Sequence, residues 1–229
     1  MKFTAVARIL SLAGVLVFAG SAHAAITTFT NLGTFTGSAG TTTLENFSAA
    51  PVGFSTANFN GTFTGFSLAA ASNGNNTGIA TGTMASSGDN TPIPGAFAGQ
   101  NFFGWGNVAG SPGATSVFTP LIGATAFGFD FFNTDSTDDY TVAVNGIVLG
   151  SINFVSSGFL GFVANGSDTI NSVTIKSRAT GGYVSTAGID NVRVSAPAVV
   201  PEPMSLMLVG VGLAAAALTR RNKARALAA

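Results

Sequence analysis

The sequence predicts an all-β protein, a β-sandwich or jelly roll, framed by an N-terminal signal helix and one C-terminal transmembrane helix. Three observations carry the β prediction. Apolar residues in the central chain recur with period two, and no stretch there sustains the 3.6-residue period of a helix. Asn145-Gly146 lies between two such runs, and that dipeptide supplies the two positive-φ residues of a type I′ hairpin turn. Thr, Val and 20 Phe favour pleated, half-buried strands, while 30 Gly and many Asn favour tight turns.

In chain order, strands are expected at 25–30, 62–68, 116–119, 127–131, 141–144, 147–149, 159–164, 173–175, 183–187 and 192–194. The clearest is 127–131, where Phe127, Phe129 and Phe131 alternate with Gly128 and Asp130. Val142 and Val144, Val173 and Ile175, and Val192 and Val194 repeat the pattern. Residues 69–99, rich in Ala, Ser, Asn and Gly, read as long loops. The string Gly-Thr-Phe-Thr-Gly occurs at 33–37 and again at 61–65, which reads as shared strand composition. Disorder does not fit most of this length, because the Phe content supplies more apolar surface than disordered chains carry.

Both ends read as targeting segments. Lys2 and Arg8 precede an apolar stretch, and Ala22-His23-Ala24 is a small-x-small site for signal peptidase. Cleavage after Ala24 removes the single His and leaves a chain beginning at Ala25. At the other end, Val200-Pro201-Glu202-Pro203 leads into Met204 to Thr219, a run without a charge, and then Arg220-Arg221-Asn222-Lys223-Ala224-Arg225. Cations after an apolar run stay on the cytoplasmic side, so the run reads as a span of the inner membrane. As a helix its sixteen residues cover about 24 Å at ~1.5 Å each. That is short of a ~30 Å hydrocarbon core, and snorkelling Arg220 helps it reach. The domains are therefore 1–24 signal peptide, 25–195 β-sandwich ectodomain, 196–203 Pro-bearing linker, 204–219 transmembrane helix and 220–229 basic cytoplasmic tail.

Composition excludes several function classes. The chain has no Cys, so after signal cleavage neither Ser-His-Asp nor Cys-His catalysis has its residues, and His/Cys zinc sites are excluded as well. Between Ala25 and Val200 eight acids face three bases, a net charge of −5 that is unsuited to nucleic acid. No Walker, dinucleotide or GxSxG motif occurs. Paired-carboxylate glycoside hydrolysis needs only Asp and Glu, but Glu45 is the sole Glu of this region and no partner is marked for it. A non-enzymatic protein is expected.

Three candidate ligand features remain. The acidic stretch from Asn133 to Tyr140 places Asp135, Asp138 and Asp139 on a loop. Those hard oxygen ligands suit Ca²⁺, while the same residues read first as a solvated turn in which Asp and Asn bond nearby amides. Asp190 shares strand parity with Val192 and Val194. Either it points inward as a buried carboxylate that needs a cation or hydrogen bonds, or it precedes the strand and caps a loop. Trp105, beside Gly104, Gly106 and Asn107, is either a loop platform for a sugar ring or a core aromatic.

The three-part tail, Pro201-Glu202-Pro203 with an apolar helix and the Arg220-Arg221 cluster, resembles the PEP-CTERM sorting signal of Gram-negative bacteria. The resemblance implies recognition by an integral-membrane exosortase, processing near the Pro-Glu-Pro motif, and release to the cell surface or exopolysaccharide matrix. More weakly, Gly128-Phe129-Asp130-Phe131, Tyr140-Thr141-Val142, residues 159–162 and 170–175, and Ile189-Asp190-Asn191-Val192 resemble the jelly-roll domains of PEP-CTERM proteins, which are similar to carbohydrate-binding lectin sandwiches. The expected function is a structural or adhesive surface protein. The alternative is a Ca²⁺-assisted carbohydrate-binding module, and a polysaccharide-acting enzyme comes last.

Overall fold

The computed structural model describes residues 25–81, 95–107, 113–121, 123–134, 139–153, 156–166, 168–177 and 185–195. Within them lie fourteen strands and one helix. The strands are β1 (Ile26–Phe29), β2 (Thr42–Glu45), β3 (Gly53–Ser55), β4 (Phe59–Phe63), β5 (Phe66–Ala71), β6 (Asn76–Thr81), β7 (Asn101–Asn107), β8 (Thr115–Pro120), β9 (Ala126–Asn133), β10 (Tyr140–Val144), β11 (Ile147–Ile152), β12 (Ser156–Ala164), β13 (Val173–Ser177) and β14 (Ser185–Ser195). The helix, α1 (Leu32–Ala39), lies between β1 and β2.

The strands form two sheets in which every pairing is antiparallel. Sheet A runs β1-β12-β9-β14-β7-β6-β3, with β2 pairing the end of β14. Sheet B runs β11-β10-β13-β8-β5-β4. Between the sheets lies one continuous core, built from Phe103, Trp105, Phe127, Phe129, Phe162 and Ile189 of sheet A and Phe66, Leu68, Phe118, Tyr140, Val142 and Ile175 of sheet B. Period-two alternation dictates this arrangement, since each strand turns one residue in two toward the other sheet.

The expected alternating strands all form. Asn145 (φ 50°) and Gly146 (φ 82°) make the hairpin between β10 and β11, with Val144 opposite Ile147. Four expectations are corrected. Residues 62–68 are not one strand, because Thr64 and Gly65 form a turn between the end of β4 and the start of β5. Residues 69–99 are not all loop, because β5 extends to Ala71 and β6 occupies Asn76–Thr81. Residues 183–187 and 192–194 are not separate strands where described, since both fall in β14 from Ser185 onward. And 33–37 is helical. At eight residues, α1 is too short to show a sustained period.

Local chemistry explains α1. Asn31 is an extended N-cap whose side chain accepts from the Thr34 amide (3.2 Å), and the Thr34 hydroxyl returns a bond to the Asn31 carbonyl (3.0 Å). The helix buries Phe35 and Ala39 on the outer face of sheet A, against Ala126 and Phe159. Gly128 and Gly161, opposite each other on β9 and β12, leave the space: a methyl at 161 would lie 2.5 Å from the Phe35 ring.

Candidate functional site

The outer face of sheet A holds the molecule's most unusual side-chain group. Between Asp190 and Arg193, β14 places two residues opposite one of β9, a bulge whose first residue, Asn191, is left-handed (φ 50°). The bulge reverses side-chain parity. Val192 and Val194 face the core, whereas Asp190 faces outward, directly opposite Asp130. Asp190 is nevertheless fully buried. One carboxylate oxygen accepts from the Asn191 amide (2.6 Å), and the other has no hydrogen-bond partner. Arg193 is committed elsewhere. It donates to the Asn191 carbonyl (2.7 Å), lies 3.5 Å from Asp130, and stands 5.8 Å from the centre of the Phe159 ring. Burial is the main cause that pushes the Asp190 carboxyl up to about 6; Asp130 and Glu45 add to it, and the Asn191 amide and Arg193 oppose it.

The candidate residues from the sequence therefore separate. Asp190 is buried, so its inward reading holds for burial and fails for the face, because strand parity does not survive a bulge. Asp139 stands just before β10, in sheet B, and so shares no site with Asp190 on the outer face of sheet A. Asp135 and Asp138 lie outside the described residues, as do the cleavage residues Ala22 and Ala24, the motif Pro201, Glu202 and Pro203, the 204–219 span, and Arg220 and Arg221. Among the described residues no group of three or more His, Cys, Asp or Glu is placed to hold a metal ion, and no helix is long and apolar enough to cross a membrane.

Trp105 is corrected as a ligand platform. It lies on β7, fully buried, with its indole N–H donating to the Ser116 hydroxyl (2.6 Å) and its ring 5.5 Å from Tyr140. A bonded indole between two sheets is a core element and has no face left for a sugar.

A cleft of about 580 Å³ opens instead at the β4 edge of sheet B, lined by Phe59, Asn60, Gly61, Thr62, Phe63 and Thr64 on one side and Glu45, Pro51 and Ile79 on others. Phe59 and Phe63 are half-buried and nearly parallel, with centroids 6.3 Å apart and planes at 18°. Gly61 is required between them, since a methyl there would stand 2.7 Å from the Phe63 ring and 3.2 Å from Phe59. Glu45 fixes the wall: its two carboxylate oxygens accept the amides of Phe47 (2.7 Å) and Thr64 (3.1 Å). The lone Glu is thus a structural clamp. Among the described residues β4 pairs only with β5, so it is an edge strand of sheet B, and an edge strand presents backbone donors and acceptors. The arrangement offers aromatic surface, hydroxyls and a strand edge, with its one carboxylate already engaged. Sequence reasoning missed this site. Phe59-x-Gly61-x-Phe63 was a visible alternation, but only sheet order makes β4 an edge.

No protein-family model matches the chain, and no curated protein matches it. Among solved structures, a mutant of the family 29 carbohydrate-binding module CBM29-2 matches at 13% identity and TM-score 0.35, covering 68% of this chain and 90% of that one. The family 11 carbohydrate-binding module from Clostridium thermocellum, in complex with a β-1,3-1,4-mixed-linked tetrasaccharide, matches at 12% identity and TM-score 0.34, covering 67% and 95%. At this identity and TM-score the likenesses transfer neither a site nor a ligand.

Proposed function

We propose that this protein is an exported, non-catalytic β-sandwich module that an exosortase sorts through the Pro201-Glu202-Pro203 tail, and that it acts at the cell surface by holding neutral matrix polysaccharide in the β4 cleft. The cleft carries the binding half of this reading. A pyranose presents an apolar C–H face and a rim of hydroxyls, and the cleft offers half-buried rings at Phe59 and Phe63 beside Thr62, Thr64 and the free edge of β4. The tail's three ordered parts carry the sorting half.

Two measurements test the halves separately. Intact mass of the protein from host cells with and without the exosortase should show loss of everything beyond about Pro203 only when the enzyme is present; an uncut tail in both would end the sorting reading. Affinity electrophoresis through gels containing the host's exopolysaccharide, each lane compared with a polysaccharide-free gel, should retard the wild type and not Thr64→Lys, whose position lines the cleft outside the rows of sheet B's outer face. Equal relative retardation of the two would end the binding reading. Repeating the gels with chelator assigns or removes a calcium role for Asp135, Asp138 and Asp139.

A further inference from the structure

The two outer faces of the sandwich differ. Sheet A's is covered by α1 and by a second cluster in which Phe97 packs on Phe102 and Phe132. Nothing among the described residues covers sheet B's. The registers lay out its outward side chains as rows across the strands. One row, Asn60-Ala69-Val117-Thr174-Ala143-Val148, spans all six strands. A second, Ala71-Thr115-Lys176-Thr141-Ser151, spans five, and a third, Thr62-Ser67-Thr119, spans three. These are half-buried or exposed positions, and Lys176 is the only charge among them. There is no aromatic.

Open sheet faces normally carry charges that keep other proteins away, and depletion of charge marks interface cores. The composition also narrows the occupant. Without an aromatic the face offers a sugar ring nothing to stack on, and with one cation it offers a polyanion no field. A flat surface of methyls and hydroxyls is matched by another flat, uncharged surface, and sheets stack face to face at ~10 Å when their side chains are small enough to interdigitate.

We propose that the outer face of sheet B is a self-association surface, and that its occupant is the same face of a second copy of this chain. A two-fold axis through the Val117-Thr174 row exchanges the outer rows. Lys176 of one copy then lies over the Thr119 side of the other, so like charges do not meet. Of the ectodomain's eight acids, Glu45, Asp130 and Asp190 are on sheet A, while Asp139 stands just before β10 and Asp168 before β13, outside the three rows. The face is small. Six strands ~4.8 Å apart and three rows give on the order of 500 Å² per copy, below the ~800 Å² per partner of a stable complex. Association is therefore weak and concentration-dependent, and it becomes effective where copies are crowded on one membrane or in one matrix. This inference does not rest on the polysaccharide reading, although Asn60 and Thr62 of β4 border both the face and the cleft.

The absence of Cys makes disulfide trapping a clean test. Single substitutions Thr174→Cys at the centre of the face, Thr36→Cys on exposed α1 and Ile147→Cys at the β11 edge would be made in the full exported chain and oxidised on the cell surface. The expectation is dimer formation by Thr174→Cys at least tenfold faster than by Thr36→Cys, suppressed when Val117→Lys is added. Equal rates at positions 174 and 36 would overturn the proposal, and so would faster trapping at position 147, which would mean edge pairing. Melting temperatures within a few degrees of the wild type confirm that each variant folds, and Ala143→Lys replaces Val117→Lys if the latter does not.

Discussion

The string Gly-Thr-Phe-Thr-Gly folds in two ways in this molecule. At 33–37 it lies inside α1; at 61–65 it forms the end of β4 and the turn into β5. Context decides between them. The first copy follows Asn31, which caps the helix, and Leu32, Phe35 and Ala39 share a helical face that packs on sheet A. The second copy follows Phe59-Asn60, so Phe59 and Phe63 share a strand face, and Phe66-Ser67-Leu68 follows as a pairing partner. The intrinsic preferences of five residues amount to tenths of a kcal/mol each, too little to outweigh a cap, a partner strand or a buried ring.

The sharpest break between the copies is at the rings. Phe35 is fully buried while Phe63 is half-buried, so Phe35→Ala should cost about 3–5 kcal/mol and Phe63→Ala clearly less. Urea denaturation of both would measure this, and equal losses would mean that α1 does not hold its face of the sheet.

Next in size is an effect that the helical copy transmits. Phe35 packs 5.1 Å from Phe159, which Arg193 overlies beside the Asp130–Asp190 pair. The folded protein holds the Asp190 proton to about pH 6, whereas an unfolded chain releases it near 3.8. The protonated carboxyl's contribution is thus fully present below 3.8 and is lost as pH rises through 6, a swing of roughly 3 kcal/mol from ~1.36 per pH unit. Stability measured from pH 4 to 8 should fall across this window in the wild type and stay nearly level in Asp190→Asn. A parallel fall in both would place the titration elsewhere.

The glycines should respond with opposite signs. Gly37→Ala meets nothing within 4 Å in a helix and should stabilise by about 0.5–1 kcal/mol. Gly65→Ala must adopt φ near 87° with Thr43 3.1 Å away, and should destabilise by about 1 kcal/mol or more. Melting curves for the pair test whether each copy is in the conformation described. The smallest contrast is at the flanking Asn residues. Asn31→Ala should cost about 1 kcal/mol through the lost cap, and Asn60→Ala, exposed on β4, close to nothing.

The same logic separates what was legible in the sequence from what was not. Where alternation was unbroken, as at Phe127-Gly128-Phe129-Asp130-Phe131, a strand and its core face could be read directly, because period two is a property of the backbone. Where the chain departs from the period, the reading failed. Parity offered the core face as one reading of Asp190 and a loop cap before the strand as the other; Asp190 lies within β14, and the two-for-one bulge at Asn191 turns it outward. Trp105 among glycines gave no sign of being in a strand, because Gly104 and Gly106 fit β7 for a reason that lies largely outside their own segment: the Ala187 carbonyl of β14 and Phe54 of β3, with Phe102 of β7 itself, fill the space where their side chains would be.

By itself the sequence determined the all-β class, the turn at Asn145-Gly146 and the absence of Cys chemistry. All of these depend on residue type or on neighbours within a few positions. Tertiary structure alone decided that, among the described residues, β4 is an edge beside a cleft, Asp130 and Asp190 stand opposite each other, and one outer face is covered while the other is not. Those depend on strand order and register, which are fixed by which buried surfaces fit between residues far apart in the chain, and a local pattern does not encode that fit.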